Sequence, residues 1–289
     1  MADFTASSQG ANPLQKYFRQ PKIFVSLPSQ GKFYPQGALD LTENGEYPVY
    51  SMTARDELTM KTPDALLNGE ATVAVIESCM PNIKDAWKIP SLDVDAILIA
   101  IRIATYGEKM DIDIKVPVTG EEKSFEVDLR TLLDHLIASE YNNVVPFGDM
   151  TFELRPLNYR EFTETSIRTF EEQRIFKVVN DEEMDEADKL AAFNQSFKKL
   201  TEMTVGTLEK SIAAIHLSDT VVTNTDHIKE FTKNADKDMF KAITEHLEAE
   251  REKFSIKPML IDATPEEIEK GVPETYKIPV TFDQSNFFG

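Results

Sequence analysis

The segment Ser91–Tyr106 constrains this chain most, because it is apolar nearly all the way round. Leu92, Val94, Ile97, Leu98, Ile101 and Ile103 wrap most of a helical surface, and such a helix is stable only when other elements cover it on every side. The pattern predicts Ser91 as its N-terminal cap, Asp93 in the positive first turn and Gly107 as its stop. Directly afterwards, Met110 to Val116 alternates strictly between apolar and polar residues, the period of a half-buried strand. Thr119-Gly120-Glu121-Glu122 turns the chain, Ser124–Val127 returns it as a hairpin, and a helix is predicted over Leu129–Ser139. A buried helix beside an antiparallel hairpin implies an α+β fold.

The flanking sequence extends that reading. Residues 1–26 are polar and read as a flexible arm, with Leu14, Tyr17 and Phe18 spaced for a short docking helix. Glu46–Met52 reads as a strand; Thr53 then caps a helix whose Asp56 and Glu57 suit its positive end. Thr62-Pro63-Asp64 has the form that starts another helix, and Thr72–Cys79 is a further helical run stopped near Met80-Pro81. Beyond Asn143 the texture changes. Met150–Leu154 reads as a strand, then Leu190, Phe193, Phe197, Leu200 and Met203 form one helical stripe and Met239, Ile243 and Leu247 another. The acids of Asp181–Asp188 read as a solvated connection. A helix follows Thr225, Thr264-Pro265-Glu266-Glu267 is a capping box ending at Gly271, and Tyr276–Phe282 reads as a closing strand. The expected architecture is α+β. Residues 27–145 form helices on a small antiparallel hairpin sheet, and residues 146–289 form a mostly helical domain with a C-terminal strand and an aromatic tail.

Composition narrows the functions available. The chain carries 50 acids against 31 bases, a net charge of -19. DNA phosphates repel such a surface, and the short basic clusters at Lys198-Lys199 and Arg251–Lys253 are flanked by acids, so nucleic acid is not an expected partner. No apolar run approaches the length that crosses a bilayer, and Met1–Ser8 lacks the basic start and apolar core of a secretory signal. Cys79 is the only cysteine, which rules out an intrachain disulfide, fits a reducing compartment and reads as a small buried helical residue. His135, His216, His227 and His246 are scattered without metal-ligand spacing, and the pairs Asp93/Asp95 and Asp111/Asp113 lack the further oxygens and the glycine of a calcium loop. No phosphate-binding loop, dinucleotide fingerprint or nucleophile elbow occurs. The expectation is therefore no enzyme, no cofactor and no metal.

The segment Leu27–Gly37 is built for position. Gly31 and Gly37 permit backbone angles that side chains forbid, Pro28 and Pro35 fix their own, and Phe33 and Tyr34 pack a ring inward while offering a polar edge outward. Together with Met52–Ile83 and Ile99–Pro117, in that order, this segment resembles the baseplate hub and tail-assembly proteins of T4-like contractile-tailed bacteriophages. The resemblance runs from Leu27 to Leu129, and the ending Phe282–Gly289 is similar to that of some relatives. It implies a structural subunit of the tail baseplate hub, acting by protein–protein contact in an oligomeric assembly. Its partners would be other hub proteins, the tail tube and the tape-measure protein, with no membrane or nucleic acid. It would reside in the virion tail, and in the host cytoplasm during assembly. A rival within the same resemblance is an assembly chaperone for hub or tape-measure proteins that leaves before the virion is complete.

The resemblance also implies a departure. Relatives carry a cysteine-rich, zinc-ribbon-like hairpin where this chain has Lys115–Gly120. Here the proline and glycine remain while valine and threonine fill ligand positions, so the hairpin must hold by cross-strand packing without zinc. Partner docking is expected from Phe33 and Tyr34, from Tyr17 and Phe18 in the arm, and from Phe287 and Phe288 in the tail, docking in cis or in trans. Arg102, inside an apolar helix, needs a carboxylate, and Asp56 or Glu57 is the expected partner in an ion pair.

Overall fold

The structure is a computed structural model that describes residues 14–61, 69–179 and 185–280. Helix α3, Ser91–Tyr106, is the axis of the first core, with Ile97, Ile99, Ala100 and Ile101 fully buried. Around it lie β1 (Pro21–Ser26), β2 (Glu46–Tyr50), α1 (Ala54–Met60), α2 (Glu70–Cys79) and α4 (Leu129–Ala138). Strands β1 and β2 pair antiparallel with Val25 opposite Tyr47, and both of those side chains are buried in the core that contains α3. Helix α3 stops at Gly107 as expected. Its N-cap is Pro90 rather than Ser91, and no side chain caps it. The fold uses Asp93 elsewhere.

Pro21–Ser26, read above as the end of a flexible arm, is therefore a core strand. The polar approach Arg19-Gln20 and the two flanking prolines hide it, yet Ile23 and Val25 alternate inward as strand residues must. The predicted helix start at Thr62-Pro63-Asp64 lies outside the described residues.

The hairpin is formed by β3 (Lys109–Lys115) and β4 (Glu122–Asp128), with Met110 opposite Val127 and Ile112 opposite Phe125. Asp111 and Asp113 point to solvent, as alternation requires. Cross-strand packing is not its only support. Val116 is buried against Val272, Tyr276 and Ile278, which belong to the hairpin of β9 (Met259–Asp262) and β10 (Thr275–Ile278).

The second core begins at Val144. Strands β5 (Val144–Phe147), β6 (Met150–Leu154), β7 (Ile212–His216) and β8 (Val221–Val222) form one antiparallel sheet in that order. Between β6 and β7 run two long helices, α5 (Tyr159–Val179) and α6 (Glu186–Ser211); α7 (Thr225–Lys233) and α8 (Lys237–Lys253) follow β8. Phe152, Leu154, Ile215, Ile228 and Ile243 fill the space between sheet and helices. This half holds more sheet than the expected single strand before its helices. Ile212–His216 escapes sequence reading because α6 runs into it with no turn residue, and Ala213-Ala214 favours helix. The short helix α9, Pro265–Glu269, opens with the predicted capping box of Thr264 and Glu267. Ile256 and Met259 pack on the first core, so the chain returns to the half it started from.

Candidate functional site

Leu27–Gly37 is a latch fastened to the first turn of α3. Ser29 donates to Asp93 from its amide, 2.7 Å, and from its hydroxyl, and the Tyr34 hydroxyl donates to the same carboxylate, 2.9 Å. Two tight turns make this convergence possible: the amides of Gln30 and Lys32 donate to the carbonyls of Leu27 and Ser29. Gly31 sits at φ +76°, where a Cβ would lie 2.9 Å from Leu41 Cδ2. Asp93 is fully buried. Burial pushes its carboxyl up to about 6, against the lowering effect of the bonds from Ser29 and Tyr34. The Tyr34 hydroxyl is raised in turn, by its own burial and by the Asp93 charge.

Tyr34 thus turns its polar edge inward. Phe33, held at φ +68°, meets the Tyr141 ring edge-on at 5.5 Å, and Tyr141 in turn lies 6.2 Å from Phe254 at the end of α8. Both aromatics expected to dock partners are half-buried and serve this chain's own packing. Tyr34 packs on the first core, and Phe33 links the latch through Tyr141 to the end of α8.

Asp56 has a different cation from the one expected. Arg19 reaches it at 3.5 Å while donating to the Ser51 carbonyl and to both oxygens of Ser78, and its guanidinium lies over the Tyr50 ring. Thr53 and Asp56 complete a capping box, and Ser78 donates to the same carboxylate. Glu57 accepts from the Tyr106 hydroxyl. Arg102 lies over the Tyr106 ring at 4.5 Å, its Nε and Nη1 buried with no hydrogen-bond partner. The expected pairing with Asp56 or Glu57 is replaced by a cation–π contact, because Arg19 takes Asp56 and Tyr106 stands between Arg102 and Glu57. Arg19 carried no sequence signal beyond being a cation in a polar stretch. Cys79 lies buried beside Arg19, and burial and the Asp56 charge push its thiol up to about 11, so it is not a thiolate at neutral pH.

A groove of about 500 Å³ separates the first turn of α3 from α5, α6 and α8. Leu92, Leu200, Met203, Leu247 and Phe254 give it apolar walls, with Arg155 and Arg251 among the polar lining residues. Tyr141 lines it too, and its hydroxyl is buried with no hydrogen-bond partner. Burial pushes the Asp95 carboxyl in this groove up to about 6, opposed by the charge of Arg251. Arg155 is held in a two-pronged pair with Glu161 at 2.9 and 3.0 Å. Among the described residues no group of His, Cys, Asp and Glu is arranged to hold a metal ion.

The T4 bacteriophage base plate protein family matches residues 21–260. The chain belongs to this family. No curated protein and no solved structure matches it. Membership identifies a structural protein of the phage tail baseplate, which meets other tail proteins in the virion. Among the described residues no helix is long and apolar enough to cross a membrane.

Large apolar side chains of this baseplate protein are exposed both near its described N-terminal end and on its long helices. Leu14, Tyr17 and Phe18 of the arm and Phe24 on the outer face of β1 are exposed, Tyr17 by 74% and Phe18 by 56%. On the long helices, Phe170 of α5 and Leu190, Phe193 and Phe197 of α6 are exposed, with the Phe193 and Phe197 rings stacked at 6.5 Å. Leu190, Phe193 and Phe197 of the helical stripe read from sequence point outward, whereas Leu200 and Met203 line the groove, and Ser196 and the pair Lys199–Glu172 lie between the helices. The period of the stripe was legible, its direction was not, since period alone does not say which neighbour a stripe meets. Phe287 and Phe288 lie outside the described residues.

Proposed function

We propose that this chain is a subunit of the baseplate hub that works by protein–protein contact. Other hub proteins, the tail tube and the tape-measure protein are its partners, and it carries out no catalysis. What carries the reading is the pairing of baseplate family membership with exposed large apolar side chains in the arm and on α6. Exposed aromatic clusters of this kind mark sites that another protein covers. The arm surface is anchored: Arg19 ties its base to Ser51, Asp56 and Ser78, so Tyr17 and Phe18 are offered from a fixed point.

One observation favours a second reading, an assembly chaperone for hub or tape-measure proteins. The α6 stripe exposes Leu190 and Phe197 by 61% and 60%, and an exposed apolar helical face suits transient capture of an unfinished partner. Quantitative mass spectrometry of purified virions beside tail-assembly intermediates separates the two. Stoichiometric amounts in finished particles support the hub subunit. Presence in intermediates alone makes the chain a chaperone, and absence from both overturns the two readings together.

A further inference from the structure

We propose that the groove between α3, α5, α6 and α8 takes an apolar segment of another tail protein, anchored by one basic side chain on Asp95. The occupant rests on the proposed role in protein–protein contact, as hub subunit or as chaperone, and names the chemistry of one such contact. Asp95 lines the groove from α3 and is partly buried. Among the described residues its carboxylate accepts no hydrogen bond and has no cation within 4.0 Å, whereas Asp93 on the same helix receives three hydrogen bonds. The charge of Arg251 on α8 reaches Asp95 without touching it. Held at about 6, the Asp95 carboxyl is ionised at neutral pH. A carboxylate drawn out of water without a partner costs free energy, and an arriving ammonium or guanidinium recovers it through a charge-assisted hydrogen bond.

The other charges of the lining do not supply that cation. Arg155 is committed to Glu161 in its two-pronged pair. Glu248 adds a second anion, so Arg251 alone stands against Asp95 and Glu248, and the lining is one cation short of neutral. Elsewhere the groove suits apolar side chains, with walls from Leu92, Leu200, Met203, Leu247 and Phe254. Thr165, Thr169, Thr204 and Thr244 line it too, but each donates its hydroxyl to a carbonyl of its own helix and has no donor left for a polar guest. The buried Tyr141 hydroxyl has no partner, and a backbone carbonyl of the segment would accept from it. The volume of about 500 Å³ holds a few side chains. A second copy of this chain suits the groove less, because two chains of net charge -19 repel one another.

The test places Met203→p-benzoylphenylalanine, at a partly exposed groove position, in the full chain during phage infection. Tail-assembly intermediates and virions are irradiated, and the linked peptide is sequenced by mass spectrometry. The expected result is a link to one segment of another tail protein, in which a Lys or Arg is flanked by apolar residues. Asp95→Lys should lower the yield by about tenfold, and changing the partner's base to Glu in the same phage should restore it. Asp95→Asn keeps the shape and removes the charge; it should also lower the yield, with the circular dichroism spectrum of the purified chain unchanged. A linked segment without a base, links only between copies or within one chain, a yield that Asp95→Asn does not move, or no link at all would each overturn the proposal. If the chain is present in particles or intermediates when this happens, the groove assignment fails and the proposed role stands. Absence of the chain from both overturns the role and the assignment together.

Discussion

Asp93→Asn tests the latch where two effects of opposite sign meet. Three hydrogen bonds donated by Ser29 and Tyr34 favour the ionised carboxylate, and complete burial favours the neutral acid. Burial is the larger effect, and the folded protein holds the group at about 6 against an ordinary value of 3.8. A carboxyl raised on folding stabilises the native state most below its unfolded value, and that advantage is lost as pH climbs through the folded value. A shift of about two pH units corresponds to about 3 kcal/mol, lost between pH 4 and pH 7.

Asparagine is nearly the same shape and does not titrate. It keeps an acceptor for the Ser29 amide, and the two hydroxyls can rotate to accept from its nitrogen. The assay is urea unfolding of both proteins at pH 4, 5, 6 and 7, reading the difference in stability so that Asp95 and every other titrating group cancel. Relative to the wild type, the variant should gain about 3 kcal/mol across that range. A flat difference refutes the reasoning. A difference that moves the other way shows that the three donors outweigh burial and that Asp93 is a stabilising anion.

Arg102→Met should leave stability within about 1 kcal/mol of the wild type, because losing a cation–π contact is offset by removing two buried, unpartnered donors. Thermal unfolding that shows a loss above about 2 kcal/mol would point to an ion pair after all. Arg19→Ala should cost about 1–3 kcal/mol, discounted toward the lower end because the guanidinium is partly exposed. Limited proteolysis should then cut faster between Leu14 and Gln20, and unchanged cleavage would mean that Arg19 does not anchor the arm. Glu267, held at about 2 by Lys123 and the Thr264 amide, stabilises the fold above its ordinary range, and that contribution is lost as pH falls from about 4.3 toward 2. Lys123→Met should therefore be most damaging near pH 5 and least near pH 2.5; a penalty that does not shrink on acidification refutes this role.

Helix α3 and the β3–β4 hairpin were legible because each buries a pattern that sequence displays directly: apolar side chains on every side, or on alternate residues. The capping boxes at Thr53 and Thr264 were legible for the same reason, since cap and acceptor sit three residues apart. Strands β1 and β7 were not, because their status depends on what lies across from them. Pro21–Ser26 becomes a strand by pairing with Glu46–Tyr50, and Ile212–His216 by pairing with Met150–Leu154, neither of which is local. The same limit explains the ion pairs. An arginine in an apolar helix announces a need but not its answer, and Arg102 met a tyrosine one turn away before any carboxylate.

Asp93 shows what this limit hides at the functional level. By position it is a first-turn acid, which sequence reads as a favourable neighbour of the helix dipole. In the fold that carboxylate organises a segment 59 to 64 residues earlier in the chain, fixing Ser29 and Tyr34 and, through Phe33, the ring of Tyr141. Tyr141 touches Phe254 and stands at the wall of the groove between the two cores. A change at Asp93 therefore reaches the groove through a short run of packed side chains, latch to ring to wall. The exposed surfaces are arranged differently. The arm hangs from Arg19, and the exposed part of the α6 stripe, Leu190, Phe193 and Phe197, precedes the groove-lining Leu200 and Met203, so neither shares a side chain with that run. Latch variants should thus alter the groove and leave partner capture by Tyr17, Phe18 and Phe197 intact, which separates a folding defect from a docking defect in any assembly assay.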